Sequence, residues 1–157
     1  MEMKEHLVES FRYNDHANKL ALRKMSELVD KEECVKFFSH LINSMNKWLG
    51  RIEKWNGHKE LDFWLPVYEF DELESKWDEC LGRWMKFLDS KTEAELFEEV
   101  EFYGRDGGDW VAVLKDIALQ LNYHSIHHRA QIQYLIRQQG IEPEFVDYIG
   151  TKYRKVR

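Results

Sequence analysis

Apolar positions recur along this chain at alternating spacings of three and four residues, the repeat of a helix with one buried face. The first such run covers Lys4 to Leu28, with Leu7, Phe11, Asn14, Asn18, Ala21, Met25 and Leu28 on its stripe. A second covers Glu32 to Trp55, with Val35, Phe38, Ile42, Met45, Leu49 and Ile52 in line and Phe37, Leu41 and Trp48 widening the arc. Asp30 is placed to cap its start, and Gly57 stands in the usual stop position. A third covers Asp71 to Leu88 through Leu73, Trp77, Cys80, Trp84 and Phe87. The last and longest runs from about Asp109 to Gln139.

Between the second and third runs lies a connection, Lys59 to Phe70, long for a bundle turn and rich in apolar residues. It should pack down onto the helices, and its length permits a crossover. Glu99–Tyr103 alternates polar and apolar, and Gly104-Arg105-Asp106-Gly107-Gly108 is a turn sequence before Trp110-Val111, so a small β-hairpin should lead into the last helix. These elements predict an all-α fold: a four-helix bundle with a long crossover connection and a small β-hairpin before the last long helix, in one domain over residues 1–157.

The stripe of the last helix contains an anomaly. It passes through Leu114, Ile117, Leu121 and Leu135, but positions 124, 128 and 131 hold His, His and Gln. Polar groups in a buried stripe cost stability unless something satisfies them. His124 and His128, at i and i+4, project from one face a turn apart and can share a metal ion. The plainer alternative is a pair of core histidines, each with one hydrogen bond. His127 is within reach of His124 but points off the stripe. Bundles build metal sites from facing helices, so a third ligand should come from elsewhere: His40, His16, His6 or an acid. His40 lies just beyond the apolar arc of the second helix and, by itself, reads as a half-exposed surface residue. Of the two asparagines on the first helix, Asn18 reads as bonding a neighbouring helix, and Asn14 as a candidate for lining a polar cavity.

Composition narrows the classes. A chain of 157 residues with 43% hydrophobic residues and six Trp can fill a core. A net charge of −6 argues against a nucleic-acid footprint, and the basic ending Lys152–Arg157 is too short to change that. Two Cys without motif spacing read as buried, reduced thiols. Neither a secretion signal nor a membrane span is visible, so the expected address is the cytoplasm, with no membrane partner.

Four stretches together carry a resemblance. Arg12-Tyr13-Asn14-Asp15-His16-Ala17-Asn18, the segment His40 to Ile52, the run Asn122 to Ile132 with its His-x-x-x-His-Arg-Ala-Gln-Ile, and Gly140-Ile141-Glu142-Pro143 followed by Asp147-Tyr148-Ile149 resemble, in order, the motifs of the DinB-like (DinB/YfiT-like) superfamily of small bacterial metal-binding bundles. Two positions depart from the pattern: His16 stands where Trp is usual and Ala130 where Gly is usual. The resemblance implies that His40, His124 and His128 hold one divalent ion, which promotes His40 from the margin. Asn14, His16 and Gln131 become candidates for the surroundings of that site.

Three neutral imidazoles would leave positions open for water or substrate, the pattern of a catalytic metal, and favour Zn or Ni over Fe or Mn. Relatives in this superfamily include transferases and isomerases that use low-molecular-weight thiols, and many form homodimers. The resemblance therefore implies a metal-dependent transferase acting on a small molecule or thiol. The alternatives are a metal-dependent hydrolase and a non-enzymatic metal-binding stress-response protein.

Overall fold

A computed structural model describes residues 1–157. It contains four long helices: α1 (Met3–Met25), α2 (Glu32–Glu53), α3 (Leu73–Ser90) and α4 (Leu114–Gln138). Two short strands, β1 (Glu99–Tyr103) and β2 (Asp109–Val113), precede α4. The fold is all-α with a small hairpin. α1 packs on α3 and α4, and α2 packs on the same two, so sequence neighbours α1 and α2 stand diagonally across the bundle. A core of 26 buried apolar residues draws on all four helices. Two indoles anchor it. Trp84 on α3 stacks on Phe11 and donates its Nε1–H to the Met45 carbonyl at 2.8 Å, while Trp77 donates to Asp15 Oδ1 at 3.0 Å. Each buried ring thus places its one polar atom on a partner.

The helix ends differ from the periodicity in instructive ways. α2 stops at Glu53 because Lys54 adopts the left-handed conformation at φ 53°, three residues before the glycine that the sequence offered as its stop. Gly57, at φ 75°, opens the following 3₁₀ turn instead. Asp30 caps only in part: its Oδ1 accepts the Glu32 amide, with Lys31 between them as the boundary residue. α4 begins at Leu114, the first residue of its apolar stripe and five residues after the expected start of the run at Asp109, because Asp109–Val113 pair as β2 with β1 in antiparallel register, Glu99 opposite Val113 and Tyr103 opposite Asp109. At the hairpin turn the Trp110 indole lies over Gly104, where a Cβ would come within 2.2 Å of it, so only glycine fits.

The connection after α2 decides where the site lies. It packs along the outer face of α2: Asn43 Nδ2 donates to the Pro66 carbonyl at 2.9 Å, the Tyr68 amide donates to Ser39 Oγ at 3.0 Å, and the Tyr68 hydroxyl donates to Asn43 Oδ1 at 3.2 Å. Under this cover every residue of α2 from Phe38 to Met45 is buried, the face away from the core included. Both cysteines are free and buried, and burial pushes the Cys34 thiol up to about 11. No helix is long and apolar enough to cross a membrane.

Candidate metal centre

α4 carries two different polar faces. Its buried line runs Leu121, Ser125, Arg129, Ile132, Ile136, so the polar centre of the helix is Ser125 and Arg129. The histidines flank this line on the side turned to α2. Arg129 is 2% exposed, and no carboxylate pairs with it. Its Nη1–H groups donate to Asn14 Oδ1 at 2.8 Å and Asn18 Oδ1 at 2.7 Å on α1, and its Nη2–H to the Tyr13 hydroxyl at 3.3 Å. Asn18 Nδ2 donates in turn to Ser125 Oγ at 3.1 Å. The Tyr13 hydroxyl donates on to the Val146 carbonyl, which ties the tail to the bundle. Asn14 therefore belongs to the α1–α4 seam, with Nδ2 buried and unpartnered. Arg129 itself escaped the sequence reading, because an arginine in a polar run reads as solvated. Two asparagines on the opposing stripe, with acceptors to fill, were the signal that could have found it.

On the flanking face, His124 and His128 meet His40 of α2. One ring nitrogen from each of the three lies within 4.8 Å of the others, a group able to hold a metal ion. His40 is 5% exposed, buried by the connection over α2. Its Nδ1 lies 2.7 Å from the Phe63 carbonyl, an acceptor only, so Nδ1 carries the proton and Nε2 presents its lone pair to the centre. The Trp64 indole stacks on the same ring, centroids 3.7 Å apart and planes 6° off parallel. The Asp62 carboxylate, accepting the Trp64 and Leu65 amides, holds that turn. His128 is fixed in the same manner. Its Nδ1 lies 2.6 Å from Gln131 Oε1 and Phe37 stacks on its ring. Two of the three imidazoles are thus locked in the tautomer that offers Nε2. His124 Nε2 lies 2.9 Å from His40 Nε2, so in the metal-free state it supplies the proton of that hydrogen bond.

Burial keeps the cluster uncharged. It is the chief cause that lowers the pKa of all three rings, and for His124, which also faces the other histidines, from 6.5 to about 4. Neutral imidazoles in fixed tautomers, with their second nitrogens bonded to a carbonyl and an amide oxygen, fit a divalent cation. Between pH 6.5 and about 4 the unfolded chain binds a proton at His124 that the folded chain does not. The contribution is complete above 6.5 and is lost as pH falls toward 4. The metal-free protein is expected to lose stability across that window, and His124→Asn to flatten the dependence. Equal slopes of denaturation midpoint against pH for the two proteins would contradict the burial account.

The remaining candidates fall elsewhere. His127 is exposed on α4, its ring 4.9 Å from that of His128 but outside the group of three. His16 is not beside the cluster: exposed on α1, it lines a separate cavity of about 560 Å³ with Arg12, Tyr13 and the tail segment from Phe145 to Lys152. The helix turn that carries it faces away from α2, so the Trp-to-His departure does not add a polar group to the histidine cluster. Adjoining the cluster is a groove of about 580 Å³ walled by Phe37, His127, Gln131 and Tyr134. Phe37 and Gln131 both touch His128, so groove and cluster share a wall.

A search of curated proteins finds none that matches this chain. A sequence profile described as the DinB family matches residues 3–155. That span takes in the α1 asparagines, His40 on α2, and the histidines and Arg129 on α4, and the chain belongs to the DinB family.

Proposed function

We propose that residues 1–157 form a single metal-binding bundle in which His40, His124 and His128 hold one divalent ion, Zn or Ni, and that the protein is a metal-dependent transferase using a low-molecular-weight thiol. The observation that carries the reading is the convergence of three neutral ring nitrogens from two helices, two of them locked in the ligating tautomer. Three ligands leave a divalent ion open to a further one. When bound there, such an ion would lower the pKa of a thiol enough to favour the thiolate at neutral pH.

The chain's own residues do the rest. Phe63 and Gln131 hold the outer nitrogens of His40 and His128, and Trp64 and Phe37 keep water from one face of each ring. The groove along Phe37 and Tyr134 offers an apolar wall to a thiol-bearing molecule, with Gln131 and His127 as polar contacts at its edge. Thiol consumption in the presence of an electrophilic acceptor, by the metal-loaded chain against its His124→Ala variant, tests the reaction class. Metal-dependent turnover without thiol loss would move the reading to a hydrolase, and no turnover with tight metal would leave a binding protein.

The bond to Gln131 gives a narrower expectation. Gln131→Leu removes the acceptor of His128 Nδ1–H and should weaken metal binding by about 10–100-fold with the fold intact. Competition against a chelator measures this, and an unchanged affinity would show that His128 needs no such partner. A homodimer completes the reading on the strength of the family resemblance, with the cytoplasm as its proposed address, and sedimentation velocity tests the dimer.

A further inference from the structure

Beside Phe63, whose ring faces Lys47 and Arg51, lies a small pocket of about 140 Å³, lined by Lys47, Arg51, His58, Lys59, Tyr103, Gly104 and Arg105. Four of these residues are cations and none is an acid, in a protein of net charge −6. Arg51 is the unusual member. It is 5% exposed, yet no carboxylate pairs with it, and burial alone lowers its pKa. Its guanidinium is boxed by the rings of Trp48, Phe63 and Phe102 at 4.7, 5.2 and 5.3 Å. Ring faces attract the cation but accept nothing along the N–H edges, so its donors are left to the pocket it lines.

The other cations are arranged around that edge. Lys47, one helix turn before Arg51, is tethered to the Leu61 carbonyl and sits over the Phe63 ring at 4.7 Å. Lys59 Nζ lies over the Tyr103 ring at 4.6 Å, and Arg105 reaches in from the hairpin turn. His58 Nδ1 bonds to the Trp55 carbonyl, which leaves Nε2 without a protein partner. Asp62, whose charge reaches Lys47, accepts the Trp64 and Leu65 amides through Oδ1 and makes no ion pair with the lysine. The Arg51 nitrogens reach solvent only through this pocket, and the charge there is disfavoured twice, by the desolvation of the guanidinium and by the neighbouring cations. An anion with several oxygens removes both costs, and the planar fork of arginine is the group that suits it.

We infer that this pocket binds an oxyanion carried by a small molecule, a phosphate or a carboxylate group, at a site separate from the histidine cluster. A volume of about 140 Å³ suits a single such group. Its outer walls, Lys59 and Arg105, belong to the turn after α2 and to the hairpin tip, so occupancy would fasten those two segments together.

Isothermal titration calorimetry of the full chain at constant ionic strength, with chloride as the balancing anion, tests this with two probes, inorganic phosphate and succinate. One saturable site is expected for at least one of them, and the tighter probe identifies the group. The same binding is expected in the His124→Ala background, which separates this site from any anion held at a metal. The double variant Lys59→Ala/Arg105→Ala, both exposed positions, should weaken binding roughly tenfold or more. Arg51→Met should abolish it, and if that variant fails to fold the surface pair decides. Absence of saturable heat with both probes, or binding unchanged in the surface pair, would overturn the inference.

Discussion

Arg129→Ala is expected to cost the protein more than any surface change. The guanidinium joins α4 to α1 through Asn14 and Asn18 and, by way of Tyr13, to the tail. Truncation leaves Asn14 Oδ1 buried without a donor and Asn18 Oδ1 with only a long bond from the Ser125 hydroxyl at 3.4 Å. The unmet oxygen costs about 1–3 kcal/mol, and with the lost packing the total is about 3–5 kcal/mol. Arg129→Lys should fall between: it keeps the charge but not a fork that reaches Asn14, Asn18 and Tyr13 together. Denaturant unfolding monitored at the tryptophans reads the difference. A loss below about 1 kcal/mol for the alanine variant would mean that the asparagines find other partners and that the network does not hold the seam.

The second large effect concerns metal and stability together. The three histidines come from α2 and α4, so an ion held by all of them cross-links two helices that are far apart in sequence. It binds the folded chain and not an unfolded one in which His40 and His124 are strangers. At a metal concentration ~1,000 times the Kd the linkage adds about 4 kcal/mol, and for a chain of this length that is a rise in Tm of about 8–16 °C. Chelation should reverse the rise. His40→Ala should abolish it without lowering the melting point of the metal-free protein by a comparable amount. A chain whose melting is indifferent to divalent ions would place the metal, if any, outside the bundle core.

The helices and their order were legible because period and length both point to them, and because the hairpin announces itself with a glycine-rich turn. The His124–His128 pair was legible from spacing alone. His40 was not. On a helical wheel it lies beyond the apolar arc, and only the resemblance to known motifs raised it. Its burial comes from Phe63 and Trp64, residues of a connection whose path over α2 is a tertiary fact with no local signal in α2. His16 failed for the converse reason: a histidine in a motif position invites a polar role, but the turn that carries it faces the tail. Arg129 and the buried side of Ser125 were missed because the stripe was drawn through the histidines, a displacement of one residue that moved the true polar seam to the wrong face. Arg51 stayed hidden because an arginine at the end of an amphipathic helix is ordinarily solvated, and here three rings from separate segments close over it.

The most direct measurement is the metal content of the purified chain beside His40→Ala, His124→Ala and His128→Ala, each checked for native folding by circular dichroism. Close to one Zn or Ni per chain is expected, falling sharply in all three variants. Metal that survives the loss of His40 would contradict the three-histidine site, because two histidines one turn apart on α4 would then be holding the ion without α2.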